Sequence, residues 1–315
     1  MPSALDALIV WSLQQAEPTP FISKPSHRSS ILFDLRSGFF LFAEDDTMMQ
    51  LRQSQRVYFT GHSGARLAGI LDLPETEPRD YLIFAHCFTC TKDIKAVVRI
   101  SRWLAQHGFG VLRFDFTGLG DSQGDFSNTN FSTTRDDLRA AVGYLTQHFR
   151  MPVALLGLSL GGAACLSIAQ EYPDLTGVVT LAAPSDTQHL ARLLTHLDPT
   201  ILSRGVGEVE IGGRRYFIRQ QMIEDLQIFD LPTCIQAIKK PLLVFHSPND
   251  RTVSIEHAYR IEQLTRTADL SLGSVQRGTS FICLPGSDHL LIENPADIPY
   301  VAALIHTWLQ RLLHK

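Results

Sequence analysis

The chain lacks any apolar run near the roughly 20 residues that a bilayer-spanning helix needs, and it shows no internal repeat and no low-complexity tract. It also lacks an excess of basic charge. Against 28 Lys and Arg stand 32 Asp and Glu, a net charge of -4. Nucleic acid and anionic membrane surfaces are therefore not expected partners. Cysteines are few, odd in number and scattered: Cys87, Cys90, Cys165, Cys234 and Cys283. This speaks against a disulfide framework and for a reducing, cytoplasmic compartment. The apolar start Ala4–Leu13 contains Asp6 and has no basic flank, so it does not read as a signal peptide. What is present is enough apolar material, 44% of 315 residues, for one large core.

Residues 1–52 differ from the rest. Pro18, Pro20 and Pro25 among serines suggest loop. The segment reads as an extension, or as sequence upstream of an internal start at Met48 or Met49. From Gln55 the pattern is regular. Arg56–Thr60 and Arg66–Leu73 flank Gly61-His62-Ser63-Gly64 as an antiparallel hairpin. Strands then alternate with helices: Tyr81–Ala85, helix Ile94–His107, Gly110–Phe114, helix Ser132–Phe149 with Asp136 and Asp137 near its positive end. After strand Thr176–Ala182, residues 185–240 break the alternation. They hold a helix over Gln188–Leu197, a hairpin turning at Gly212-Gly213 and a helix near Gln220–Phe229. Alternation resumes with strand Pro241–His246, helix Ser254–Thr265, strand Thr279–Leu284 and helix Asp297–Leu313. Such a chain predicts a mostly parallel sheet with helices on both faces, and strand–helix loops gathered along one edge.

The chemistry centres on Pro152–Gly162, P-V-A-L-L-G-L-S-L-G-G. A buried strand runs into Gly157-Leu158-Ser159-Leu160-Gly161 and on into a helix of small residues, the context of a G-x-S-x-G nucleophile elbow. The plainer alternative is a glycine-flanked serine in an ordinary turn. Two further residues fall at C-terminal strand ends. Asp250 follows Leu242–Phe245, and His289 follows Phe281–Leu284. The order Ser159…Asp250…His289 is that of the α/β-hydrolase fold. His289 can take the serine proton, and Asp250 can fix its tautomer. Asp250 could instead be a helix cap, and His289 a core or loop histidine. Asp288 is the rival acid, and His246 reads as structural.

An oxyanion needs two donors. The backbone N–H of Leu160 is one. Phe88 N–H is the other, with Cys87 second. Cys87-x-x-Cys90 has competing readings, as a thiol–disulfide pair or, with His86, as metal ligands. No second ligand pair accompanies it, so small buried packing residues are the favoured reading. No cofactor or metal is called for.

With these residues in order, the chain from about Gln55 resembles the α/β-hydrolase superfamily, and within it the esterase and acyl-aminopeptidase-like serine hydrolases. It is most similar to the bacterial hydrolase domain often fused to an OsmC-type peroxide-reducing domain. Phe84–Asp93, Leu112–Gly124, Asn128–Ser132, His246–Asp250 and Gly286–Leu290 carry the likeness. The resemblance implies one α/β-hydrolase domain over 53–315, with 185–240 as a small cap. It implies the triad Ser159, Asp250 and His289, donors Phe88 and Leu160, and a small-molecule acyl substrate. Esters are favoured; a peptidase, a thioesterase, a non-catalytic binding protein and a Cys87/Cys90 redox protein are the alternatives. A peroxide-related role calls for a separate OsmC-type partner. Two departures stand out: Leu158 where such elbows usually have histidine, and Cys87 where many relatives have glycine. Arg214, Arg215 and Arg219 of the cap read as a solvated hairpin face.

Overall fold

The computed structural model describes residues 53–272 and 278–314. The expectations for residues 1–52 lie outside the described residues. The hairpin forms β1 (Gln53–Thr60) and β2 (Arg66–Leu73), paired antiparallel with Thr60 opposite Arg66. The main sheet has eight strands in the order β1-β2-β4-β3-β5-β6-β9-β10. Here β3 is Asp80–Ala85, β4 Phe109–Phe114, β5 Ala154–Leu158, β6 Gly177–Leu181, β9 Leu242–His246 and β10 Thr279–Cys283. From β4 to β10, neighbouring strands run parallel. β4, β5, β6 and β9 are buried along their whole length. Helices cover both faces, which is why these strands read as continuous apolar runs rather than alternating ones.

Two apolar cores result. Helices α1 (Lys95–Gln106) and α9 (Asp297–Leu313) place Val97, Ile100, Leu104, Val301 and Ile305 against one face of the sheet. On the other face, α2 (Phe131–His148) and α3 (Leu160–Ile168) bring Phe131, Leu138, Leu145 and Leu166. The first turn of α2 is capped by Asn130, which accepts the Thr133 N–H, and Thr133 reciprocates. Asp136 and Asp137 fall in the second turn, past the helix's unpaired N–H groups. Asp137 is buried and accepts the Thr117 N–H at 2.8 Å, tying the helix to the glycine-rich loop.

Between β6 and β9 the chain forms α4 (Gln188–Leu197), α5 (Thr200–Arg204), the two-stranded sheet β7 (Val206–Ile211) and β8 (Arg214–Arg219), α6 (Gln220–Ile228) and α7 (Leu231–Ala237), and α8 (Glu256–Leu272) connects β9 to β10. Gly212 and Gly213 both have positive φ, 61° and 69°, as a two-residue hairpin turn of this hand requires. Sequence periodicity missed α5 and α7 because each is too short to show a helical repeat. The segment is anchored to the body. Asp225 of α6 accepts both the N–H and hydroxyl of Ser132, and Tyr216 of β8 donates to Thr89 O at 3.0 Å.

Candidate active site

Ser159 sits between β5 and α3 with φ 53° and ψ −121°. A non-glycine residue in the positive-φ region is held there against local preference. Two close approaches enforce the turn. A Cβ on Gly161 would lie 2.4 Å from the carbonyl oxygens of Ala85 and His86, and one on Gly157 would meet Gly161 at 2.4 Å. Ser159 thus stands at the N-terminus of α3, where unpaired N–H groups and the helix dipole favour negative charge.

Asp250 and His289 meet as the sequence spacing predicts. His289 Nδ1 lies 2.7 Å from Asp250 Oδ2. The other carboxylate oxygen, Oδ1, accepts the N–H groups of Thr252 and Val253 at 2.8 and 2.9 Å. Burial works against charge on Asp250. The adjacent His289 and these hydrogen bonds outweigh it and hold the carboxyl below the usual range. With Oδ2 facing Nδ1, the proton belongs on Nδ1 and Nε2 is left basic.

The rival acid is used elsewhere. Asp288 Oδ1 accepts the N–H groups of Ile292 and Glu293, at 2.6 and 2.8 Å, and Oδ2 accepts that of Leu290. It shapes the loop that carries its neighbour. His246 is buried behind Asp250 and its Nε2 donates to Val253 O at 2.8 Å.

Ser159 and His289 line one cavity of about 510 Å³ together with Phe88, Leu160 and Asp250. Ser159 and His289 face the same cavity without a direct hydrogen bond between them, and such contacts tighten in a Michaelis complex. Leu190 and Leu193 of α4, with Ile211, Val253 and Leu290, supply apolar wall. Arg214, Arg215 and Arg219 are exposed and do not line the cavity.

The loop after β3 departs from the sequence reading. Cys87 and Cys90 are buried, as expected of packing residues, but they are joined in a disulfide with their Cα atoms 5.2 Å apart. Sequence spacing admits this but does not require it. Beneath them His86 is fully committed: Phe116 N–H donates to its Nε2 at 3.2 Å, so its Nδ1–H donates to Cys87 O at 2.8 Å. Just beyond, the buried Lys92 ammonium meets Asp115 and Asp121 at 2.8 Å each and Asp93 at 3.0 Å. Arg113, also buried, bonds Asp72 and Asp93. A buried ion pair that loses one partner is costly, about 3–5 kcal/mol, so these charges fix the loop's far end.

Sequence reasoning missed His189. It faces the cavity from the first turn of α4, and its ring lies 5.2 Å from that of His257. Burial, then the nearby His257, push its pKa down to about 4. The available signal was a histidine in the first turn of a helix between two strands, which is too common to single out.

Burial likewise lowers the pKa of His86, His246 and His257. In the unfolded chain each takes up a proton near pH 6.5. The folded protein resists that proton, so stability is full above about pH 6.5 and falls as the pH drops below it. Each histidine that stays neutral contributes a loss of up to about 1.4 kcal/mol per pH unit. Thermal unfolding followed between pH 7 and 5 should show a steadily falling Tm. A flat profile would contradict the buried neutral histidines.

A parallel sheet with a strained serine at one strand end, and an acid–histidine pair beside it, defines a serine-hydrolase type of site on an α/β scaffold. Comparison with known proteins agrees. Residues 76–227 match the family described as serine aminopeptidase, S33. The esterase domain of a Rhodothermus marinus protein is 40% identical, with a TM-score of 0.64, and the match covers 82% of this chain and 98% of that one. The monoacylglycerol lipase of Mycolicibacterium smegmatis is 23% identical over 243 residues, 68% of this chain and 85% of that protein. Human protein ABHD12B is 25% identical over 202 residues, 63% of this chain but only 52%, about half, of its own length. The chain belongs to the α/β-hydrolase superfamily and is a serine hydrolase.

Proposed function

We propose that the protein hydrolyses carboxylic esters through an acyl-enzyme on Ser159. The observation that carries this is the His289–Asp250 hydrogen bond of 2.7 Å at the cavity into which Ser159 opens. His289 Nε2 removes the Ser159 proton as the oxygen attacks the ester carbonyl. Asp250 holds the ring and stabilises the imidazolium. The N–H groups of Leu160 and Phe88 hold the oxyanion. His289 then protonates the departing alcohol, and water releases the acid by the same steps in reverse. No cofactor enters the cycle. The apolar wall of a cavity of about 510 Å³ suits a small to medium acyl chain.

The S33 match favours a second reading, release of an N-terminal amino acid. Labelling with a fluorophosphonate probe, followed by parallel assays on p-nitrophenyl esters of graded length and on aminoacyl p-nitroanilides, separates the two. Labelling confined to Ser159 with ester turnover supports the proposal. Anilide turnover without ester turnover replaces it with the peptidase. A folded protein that takes no label defeats both.

A further inference from the structure

The sequence singles out Cys87-x-x-Cys90, and the triad chemistry does not use it. We infer that the Cys87–Cys90 disulfide is the positioning element of the Phe88 oxyanion donor, and that its opening by a dithiol reductant turns ester hydrolysis down. The inference rests on the reading of Ser159 just given.

Phe88 lies inside a tight turn closed by the cysteines. Cys90 N–H donates to Cys87 O at 3.2 Å, and Thr89, the third residue of the turn, has φ 58°. A turn with positive φ at that position favours glycine or asparagine. A β-branched residue there is an outlier. The Thr89 hydroxyl compensates in part by donating to Phe88 O at 2.6 Å. The turn is nonetheless built on a residue that disfavours it, and the disulfide clamps its two ends.

The orientation of the donor follows from the same turn. Cys87 O accepts from both His86 Nδ1 and Cys90 N. In a trans peptide the N–H points opposite to the carbonyl, so the Phe88 N–H is directed away from His86. Among the described residues it has no protein acceptor, and Phe88 lines the cavity beside Ser159. Both flanks of the turn are fixed independently. Upstream, Ala85 and His86 pack against Gly161; downstream, the Lys92 ion network holds the chain. The crosslink therefore acts on the four residues that contain the donor.

Both cysteines are buried but line the cavity, so the active site is the route by which a dithiol approaches them. Its thiolate attacks one sulfur to give a mixed disulfide, and its second thiol displaces the remaining sulfur. The reductant leaves as a cyclic disulfide. Cys87 and Cys90 gain two electrons and two protons. Freed of the clamp, the turn keeps the His86 bond to Cys87 O and the Tyr216 bond to Thr89 O. These do not offset the positive φ of Thr89, and the Phe88 N–H moves off the oxyanion position.

The test uses the full chain in a Cys283→Ser background, which removes the exposed free thiol. Oxidised and dithiothreitol-reduced protein are compared, with the state of Cys87 and Cys90 verified by alkylation and peptide mass. Losing an oxyanion donor outright costs about 10²–10³ in kcat, and a misplaced one less, so reduction should lower kcat roughly 10-fold or more. KM should stay within about twofold, because ground-state contacts with the apolar wall persist. The rate of fluorophosphonate labelling should fall with kcat, and oxidised glutathione should restore both. Cys87→Ser/Cys90→Ser should sit at the reduced rate and ignore the dithiol. Equal kcat in verified oxidised and reduced protein would overturn the inference alone. So would a loss shared by KM and melting temperature, which would mark the disulfide as general scaffolding. If neither form labels Ser159, the ester-hydrolase reading falls and takes the inference with it.

Discussion

Replacing Ser159 with alanine is expected to lower kcat for a p-nitrophenyl ester by a factor on the order of 10⁶, with the fold intact. The size follows from the way the site works. In the proposed mechanism His289 and Asp250 serve to activate this hydroxyl, so its removal silences all three together. Water and the two proposed oxyanion donors, Leu160 and Phe88, remain, which leaves on the order of 10³–10⁴ over the uncatalysed reaction. Folding should be little affected. Alanine meets the same strained φ of 53° that serine does, and the Ser159 hydroxyl makes no hydrogen bond that caps α3. Steady-state kinetics and circular dichroism on the same preparation decide the matter. A variant that keeps a tenth of wild-type kcat would move the nucleophile elsewhere.

The second large effect is at Asp250. Asp250→Asn should lower kcat about 10⁴-fold at pH 7 with little change in structure. The asparagine oxygen can still accept from Thr252 and Val253, as Asp250 Oδ1 does. Its NH₂ then faces His289 Nδ1, which forces the proton onto Nε2 and leaves no lone pair for Ser159. Asp288→Asn is the control. Its carboxylate binds the backbone N–H groups of Leu290, Ile292 and Glu293, not His289. That change should cost stability of the loop, seen as a lower Tm, with kcat reduced far less than in Asp250→Asn. If the two variants fall equally, the choice of Asp250 as the orienting acid is wrong.

The contrast between the two aspartates shows where sequence reasoning reaches. Both lie close to a strand end, and Asp288 is the neighbour of His289 in the chain. The hydrogen-bond geometry selects the one 39 residues away. The strand–helix alternation is legible in the sequence, because the main strands and the longer helices each carry an apolar pattern of their own. The helices Thr200–Arg204 and Leu231–Ala237 are not, since the first is ended by Gly205, the second is begun by the Asp230 cap, and neither is long enough for a repeat. Leu158, where histidine was the family expectation, is fully buried in the core shared with α1 and α9, so it does not reach the cavity wall.

By itself the sequence determined what depends on short stretches of chain. These are the strand–helix alternation, the tight hairpin at Gly212-Gly213, and the elbow whose glycines allow Ser159 its positive φ. Backbone preference and apolar period act over a few residues, so they are written locally. Only the tertiary structure decided which groups meet. It set Asp250 rather than Asp288 against His289, closed Cys87 onto Cys90 around Phe88, and brought His189 from the segment between β6 and β9 to the cavity. Those outcomes turn on distances of a few ångströms between segments far apart in the chain, and such distances exist only once the sheet has set every strand end in place.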